Sequence, residues 1–175
     1  GRVTFCHLVL GAPWPDWSID GLTNSLDTWL SMYLSNATGQ ADLEQLDLHM
    51  LLRASLPWPE GAELDNVAPA TLALPNGRQA RISYLNTDGE PRPTVQVRVQ
   101  DVFGLDEHPL VGKLPIVFEL LSPADRPIQV TSDLPGFWRG SWSDVRKDLA
   151  GRYPKHRWPE RPHEAKPGRL GNNND

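Results

Sequence analysis

A chain of 175 residues has room for one domain with a real core, or two very small ones. Its 39% hydrophobic and 22% charged residues describe a globular protein and exclude a disordered, fibrous or membrane-spanning one. The net charge of −5 is uneven: residues 1–137 carry 8 Lys and Arg against 17 Asp and Glu, whereas residues 138–170 carry 9 against 4. Such a basic segment on an acidic protein calls for a partner of its own, nucleic acid being the usual one, or is a solvated tail. The single cysteine, Cys6, excludes an intramolecular disulfide framework and fits a reducing compartment. No charged-then-apolar leader opens the sequence, so a cytoplasmic location is expected, and a start at Gly1 reads as a piece of a longer polypeptide or a processed chain.

In chain order, residues 1–17 read as a connector, because Ala12-Pro13-Trp14-Pro15-Asp16-Trp17 cannot be helical through its prolines. Leu22, Leu26, Trp29, Leu30, Tyr33 and Leu34 then recur at helical spacing and predict an amphipathic helix over about 19–35, capped by Ser18 or Asp20. Leu43, Leu46, Met50 and Leu51 predict a second helix over about 40–55, stopped by Pro57 and Pro59 and joined to the first by a loop around Gly39. Pro75-Asn76-Gly77 marks a turn between strands at 70–74 and 79–84. Val95, Val97 and Val99 alternate with Gln96 and Arg98, a strand with one buried face. Val102 to Leu105 reads as a helical turn closing on Gly104, and the apolar run 114–121 has a candidate hairpin partner at 127–131. A last helix is expected over about 135–150, capped by Ser132 or Asp133 and ended by Gly151 and Pro154. Its core face holds Trp138, Trp142, Val145 and Leu149; Arg139, Ser143, Arg146 and Lys147 lie on one flank, Asp144 and Asp148 on the other. The fold class is α+β: two N-terminal helices, a small mostly antiparallel sheet, and a C-terminal helix followed by an extended basic arm. The domain spans 18–151, with 152–175 a proline-rich arm and disordered tail.

No catalytic constellation is present. Gly112-Lys113-Leu114 lacks the upstream glycine and the hydroxyl residue of a phosphate loop. Asp106-Glu107-His108 only superficially resembles a helicase acidic box, having no spacer and a proline behind it. The five histidines and one cysteine do not fall at zinc spacing, and no nucleophile elbow occurs. What remains is Arg152-Tyr153-Pro154-Lys155-His156-Arg157-Trp158, where cations interleave with rings. Cations neutralise phosphates and exposed rings stack on bases, the combination used for single-stranded nucleic acid. The competing reading has Tyr153 and Trp158 fold back as anchors of the arm.

The C-terminal third resembles a known family. Leu121-Ser122-Pro123-Ala124, Arg126-Pro127-Ile128-Gln129-Val130-Thr131, Gly136-Phe137-Trp138 and Gly151-Arg152-Tyr153-Pro154-Lys155-His156 with Trp158-Pro159-Glu160 resemble the C-terminal region of HrpB-type bacterial ATP-dependent RNA helicases. Val99 to Gly104 and Trp14-Pro15-Asp16 extend the match to about residues 14–162. The resemblance implies a DExH-box protein whose two motor domains, upstream, bind and hydrolyse ATP on magnesium and act on RNA. No motor motif has a matching position here, so this polypeptide is expected to carry no catalytic or cofactor residue. Its expected partners are the motor domains of the same polypeptide and RNA, with no membrane and no small-molecule substrate. The candidate RNA-binding residues are Arg139, Arg146, Lys147, Arg152, Tyr153, Lys155, His156, Arg157 and Trp158. The alternative is a protein-interaction or scaffolding module with no RNA affinity of its own.

Overall fold

The computed structural model describes residues 1–34, 39–85 and 90–167. It forms two compact units, Gly1–Ala68 and Pro69–Asp175. Among the described residues, no helix is long and apolar enough to cross a membrane.

The first unit is helical. Arg2–Leu10, read as connector, form helix α1, with Val3, Thr4, Phe5 and Cys6 buried. Tertiary contact holds this helix where no periodicity announced it. The Arg2 guanidinium reaches the carbonyls of Ala68 (2.6 Å) and Leu64 (3.0 Å). It thereby satisfies terminal carbonyls of α7 (Glu60–Val67), a helix the sequence reading did not contain.

The helix expected over 19–35 is broken into α2 (Ile19–Asn24), α3 (Leu26–Trp29) and α4 (Ser31–Leu34). The cause is local. The hydroxyls of Thr23, Ser25 and Ser31 donate to the carbonyls of Ile19, Gly21 and Asp27 at 2.6–2.7 Å, the back-bonding by Ser and Thr that destabilises and bends helices. Ser18, one of the two expected caps, accepts from the Gly21 N–H at 3.0 Å.

The helix expected over 40–55 splits likewise into α5 (Gln40–Glu44) and α6 (Leu48–Ala54), because Asp47 caps α6 by accepting from the Met50 N–H. Part of the loop expected around Gly39, residues 35–38, lies outside the described residues.

The second unit contains the sheet. Strands β1 (Thr71–Ala73) and β2 (Gln79–Arg81) form the hairpin whose turn the Pro75-Asn76-Gly77 signal announced, with Gly77 at φ 80°. The main sheet has the order β3 (Ser83–Leu85), β4 (Pro91–Arg98), β7 (Val117–Leu121), β8 (Pro127–Thr131). Its outer pairs are antiparallel, but the central pair β4 and β7 is parallel, so the sheet is mixed. In that pair Gln96 stands opposite Glu119, and its amide donates to the carboxylate at 3.1 Å on the solvent side. Val95, Val97, Phe118 and Leu120 are buried.

The crossover from β4 to β7 holds a 3₁₀ turn (Val99–Val102) and the small hairpin β5 (Leu110–Val111) and β6 (Leu114–Pro115). Within it, His108 Nδ1 accepts the Leu134 N–H at 3.0 Å while its Nε2 meets the Ile116 carbonyl at 2.8 Å. The ring thereby ties the crossover to the backbone at Leu134.

The expected last helix is two: α8 (Leu134–Arg139), capped by Asp133, and α9 (Trp142–Arg152), with the break at Gly140 and Ser141. Trp138 and Trp142 sit edge-on at 5.3 Å, and Phe103 and Phe137 complete an aromatic cluster around them. Leu149 is also buried, while Val145 is only half-buried.

Candidate nucleic-acid interface

The arm that follows α9 is pinned to its own unit through residue 167. The Trp142 indole N–H donates to the Pro159 carbonyl (3.0 Å), and the Gly104 N–H donates to the Pro162 carbonyl (2.8 Å). Gly104 has φ 91°, and a Cβ there would stand 3.2 Å from the Ala165 carbonyl oxygen. Only glycine allows this approach without strain.

The rings of the arm are engaged within the unit. The Tyr153 hydroxyl bonds Ser122 Oγ at 3.3 Å, the Trp158 indole N–H donates to the Tyr153 carbonyl at 2.9 Å, and the fully buried Gln100 amide donates to His156 Nδ1 at 3.2 Å. His156 lies between Tyr153 and Trp158, at ring separations of 6.3 and 6.1 Å. All three rings are half-buried.

The cations sort into two groups. Arg146 meets Glu160 of the arm at 3.2 Å, Lys147 meets Asp144 at 3.5 Å, and Arg152 meets Asp148 at 2.9 Å. Lys147 and Arg152 are thus neutralised along the helix itself, and Arg146 by the arm. Arg139, Lys155 and Arg157 are exposed, and among the described residues they make no ion pair or side-chain hydrogen bond. They are the part of the predicted basic site left with uncompensated charge.

A second polar feature was missed from the sequence. A cleft of about 520 Å³ is lined by Arg78, Gln96, Arg98, Asp101 and Asp125. Arg98 grips Asp125 with two bonds of 2.7 and 2.8 Å, Asp125 sitting at φ 58° in the β7–β8 turn. Asp101 is buried, with Asn76 at 3.1 Å and Arg78 at 3.5 Å. Two cations and two carboxylates balance, so the cleft has no net pull on an anion. The signal available was the Gln100-Asp101 pair set between Val99 and Val102-Phe103.

Burial pushes the Asp101 carboxyl above its ordinary value of 3.8, against the opposing pull of Arg78, Arg98 and Asn76. A raised carboxyl binds its proton more tightly in the folded state than in the unfolded one. Its contribution is therefore fully present below pH 3.8 and is lost as pH rises through the folded value. The exposed Asp125 and Asp65, held low by Arg98 and Arg2, act with the opposite sign: their contributions are lost as pH falls. Asp101→Asn keeps an acceptor for Asn76 and is expected to remove the loss on the rising side. Urea midpoints measured from pH 4 to pH 7 should fall less steeply in this variant than in the parent; parallel curves would refute the assignment.

Gly112-Lys113 forms the turn between β5 and β6, with Gly112 at φ 60°, and does not open a helix onto which a phosphate could sit. Among the described residues, no group of three or more His, Cys, Asp or Glu could hold a metal ion.

Comparison with known proteins places this architecture. The family described as ATP-dependent helicase C-terminal (HrpB_C) matches residues 29–162. The ATP-dependent RNA helicase HrpB of Escherichia coli (strain K12) is 39% identical over 158 residues, which cover 89% of this chain and 19% of that protein. Two solved structures are similar. The E. coli DExH-box NTPase HrpB has a TM-score of 0.85 at 36% identity, over 96% of this chain and 21% of that one. The Escherichia coli DEAH/RHA helicase HrpB has a TM-score of 0.69 at 34% identity, over 90% and 20%. The chain therefore spans about a fifth of the length of the relatives it matches. It belongs to the family of HrpB-type ATP-dependent helicase C-terminal domains.

Proposed function

We propose that this domain acts without catalysis of its own, docking on the motor domains of an HrpB-like RNA helicase in the cytoplasm and adding positive charge to the path of the RNA. ATP and magnesium belong, in this reading, to the motor. The observation that carries the RNA part is the trio Arg139, Lys155 and Arg157, exposed and uncompensated beside three cations that are paired. Phosphates supply the missing counter-charge, and their capture releases counterions.

The test is the affinity of the 175-residue protein for single-stranded RNA, measured by fluorescence anisotropy at several salt concentrations. Each phosphate neutralised on a single strand contributes about 0.7 to the slope of log affinity against log salt, so replacing all three cations by Ala is expected to flatten it by about 2. Unchanged affinity and slope would end the RNA reading.

The inward engagement of Tyr153, His156 and Trp158 favours a second reading, a protein-interaction module in which the arm braces the fold. That reading predicts no RNA affinity at any salt concentration.

A further inference from the structure

One of the three paired cations of α9 differs from the other two. Lys147 and Arg152 meet carboxylates of their own helix, and their side chains are 69% and 64% exposed. Arg146 is only 27% exposed and meets a carboxylate brought in from outside the helix, Glu160 of the arm. Arg146 stands one turn after Trp142, and the arm follows the face they share: Trp142 holds the Pro159 carbonyl and Arg146 holds Glu160. Two residues on, the Pro162 carbonyl accepts the Gly104 N–H. The backbone on either side of Glu160 is therefore fixed by bonds that do not involve its side chain.

The contact itself is loose. It is a single bond of 3.2 Å from Nη2 to one carboxylate oxygen, and among the described residues it is the guanidinium's one hydrogen bond. A guanidinium carries five N–H donors in a planar fork that matches a phosphate with two parallel bonds. The Glu160 side chain is 81% exposed, so turning it into water costs little, and exposed pairs of this kind are weak. Its departure from Arg146 is a change of rotamer, with the arm still clamped. Arg157 lies three residues before Glu160, about 11 Å of chain at most, and Lys155 two residues further back. A nucleic-acid strand, with a phosphate every few ångström, can therefore span from Arg157 to Arg146.

Resting on the RNA reading above, we infer that Arg146 is a fourth phosphate-binding residue of this surface, and that Glu160 is its intramolecular stand-in for phosphate, holding the site until RNA displaces it. With no strand bound, the carboxylate keeps the half-buried guanidinium from standing without a counter-charge. It also sets a threshold. An isolated anion gains nothing over the tethered carboxylate, whereas a strand already held by Lys155 and Arg157 offers its next phosphate at high effective concentration. The site thus favours a chain of phosphates over a single one.

The measurement is the anisotropy of a labelled oligouridylate on the 175-residue protein, with the parent, Glu160→Gln, Arg146→Ala and the double variant compared. Glu160→Gln keeps the length of the side chain and an acceptor while removing the competing charge. It is expected to tighten binding by up to about fivefold, the range set by an exposed ion pair. In the Arg146→Ala background the same substitution should bring a clearly smaller gain, and this non-additivity is the signature of the pair. Equal gains in the two backgrounds would make Glu160 merely a nearby negative charge and overturn the assignment of Arg146. A parent that binds RNA through Arg139, Lys155 and Arg157 but does not respond to Glu160→Gln would overturn the inference alone. No binding by any of the four proteins at low salt would end the RNA reading and the inference together. Polyglutamate that displaces the label as well as unlabelled oligouridylate does would assign the surface to an acidic protein segment and overturn RNA as its occupant.

Discussion

Trp142→Ala is expected to lower the unfolding free energy by about 3–5 kcal/mol, the usual range for removing a buried Trp or Phe side chain. Trp142 is only 1% exposed and meets Phe103, Phe137 and Trp138 edge-on at 5.3–5.9 Å. Such aromatic pairs contribute about 0.5–1.5 kcal/mol each beyond their area. Against a total stability of about 5–15 kcal/mol for a typical domain, the loss is a large fraction. The urea midpoint should drop steeply with little change in slope, as expected for lost stability without a changed unfolded state. Trp142→Phe separates two roles. It keeps an aromatic ring in the cluster but loses the N–H donated to Pro159, costing about 1 kcal/mol for the hydrogen bond and freeing the arm. An Ala variant with the parent's midpoint would show that the cluster is not the core of its unit.

Gly104→Ala is expected to release the arm before it unfolds the domain. The residue has φ 91°, where an L side chain is strained by about 1–3 kcal/mol. The new methyl would also press the Ala165 carbonyl at 3.2 Å and touch Pro75. Because the Gly104 N–H holds Pro162, strain here falls on the attachment of residues 159–167. Limited proteolysis in that stretch should accelerate under conditions where the rest of the unit stays protected, a local opening in place of a global one. Gly77→Ala is the control. It has a similar φ of 80° but open space around its Cβ, so it should cost stability without exposing the arm. Equal protease sensitivity in the two variants would sink the idea that Gly104 clamps the arm.

These two residues show what could be read in advance. Trp142 was legible, because apolar residues at helical spacing report burial whatever they pack against. The Pro75-Asn76-Gly77 turn and the Asp133 cap were legible because each acts on backbone groups within three residues of itself. The clamp at Gly104 was legible only as a stop, since its partner carbonyl lies 58 residues downstream. Asp101 carries no periodicity at all, and its burial depends on Asn76 and Arg78 arriving from another hairpin. Among the candidate RNA-binding residues, the sequence placed the basic charge but could not tell which cations are occupied. Arg146 differs from Arg157 only because Glu160 folds back onto it. The broken helices of the first unit have a third cause, hydroxyls and an aspartate cap competing with a helical pattern that hydrophobic spacing alone portrays as continuous.

The parallel pairing of β4 with β7 also sets the order in which this unit can assemble. An antiparallel neighbour can zip from a tight turn, but a parallel one must wait for a long crossover to be closed. Here that crossover runs from Val99 to Ile116 and includes the 3₁₀ turn and the β5–β6 hairpin. During synthesis, β4 can pair with β3 early, yet its other edge stays bare until Leu121 has emerged. Closing this loop is therefore expected to come after the β3–β4 pairing, and stopped-flow refolding of crossover variants that favour its closed form should show a raised folding rate with little change in the unfolding rate.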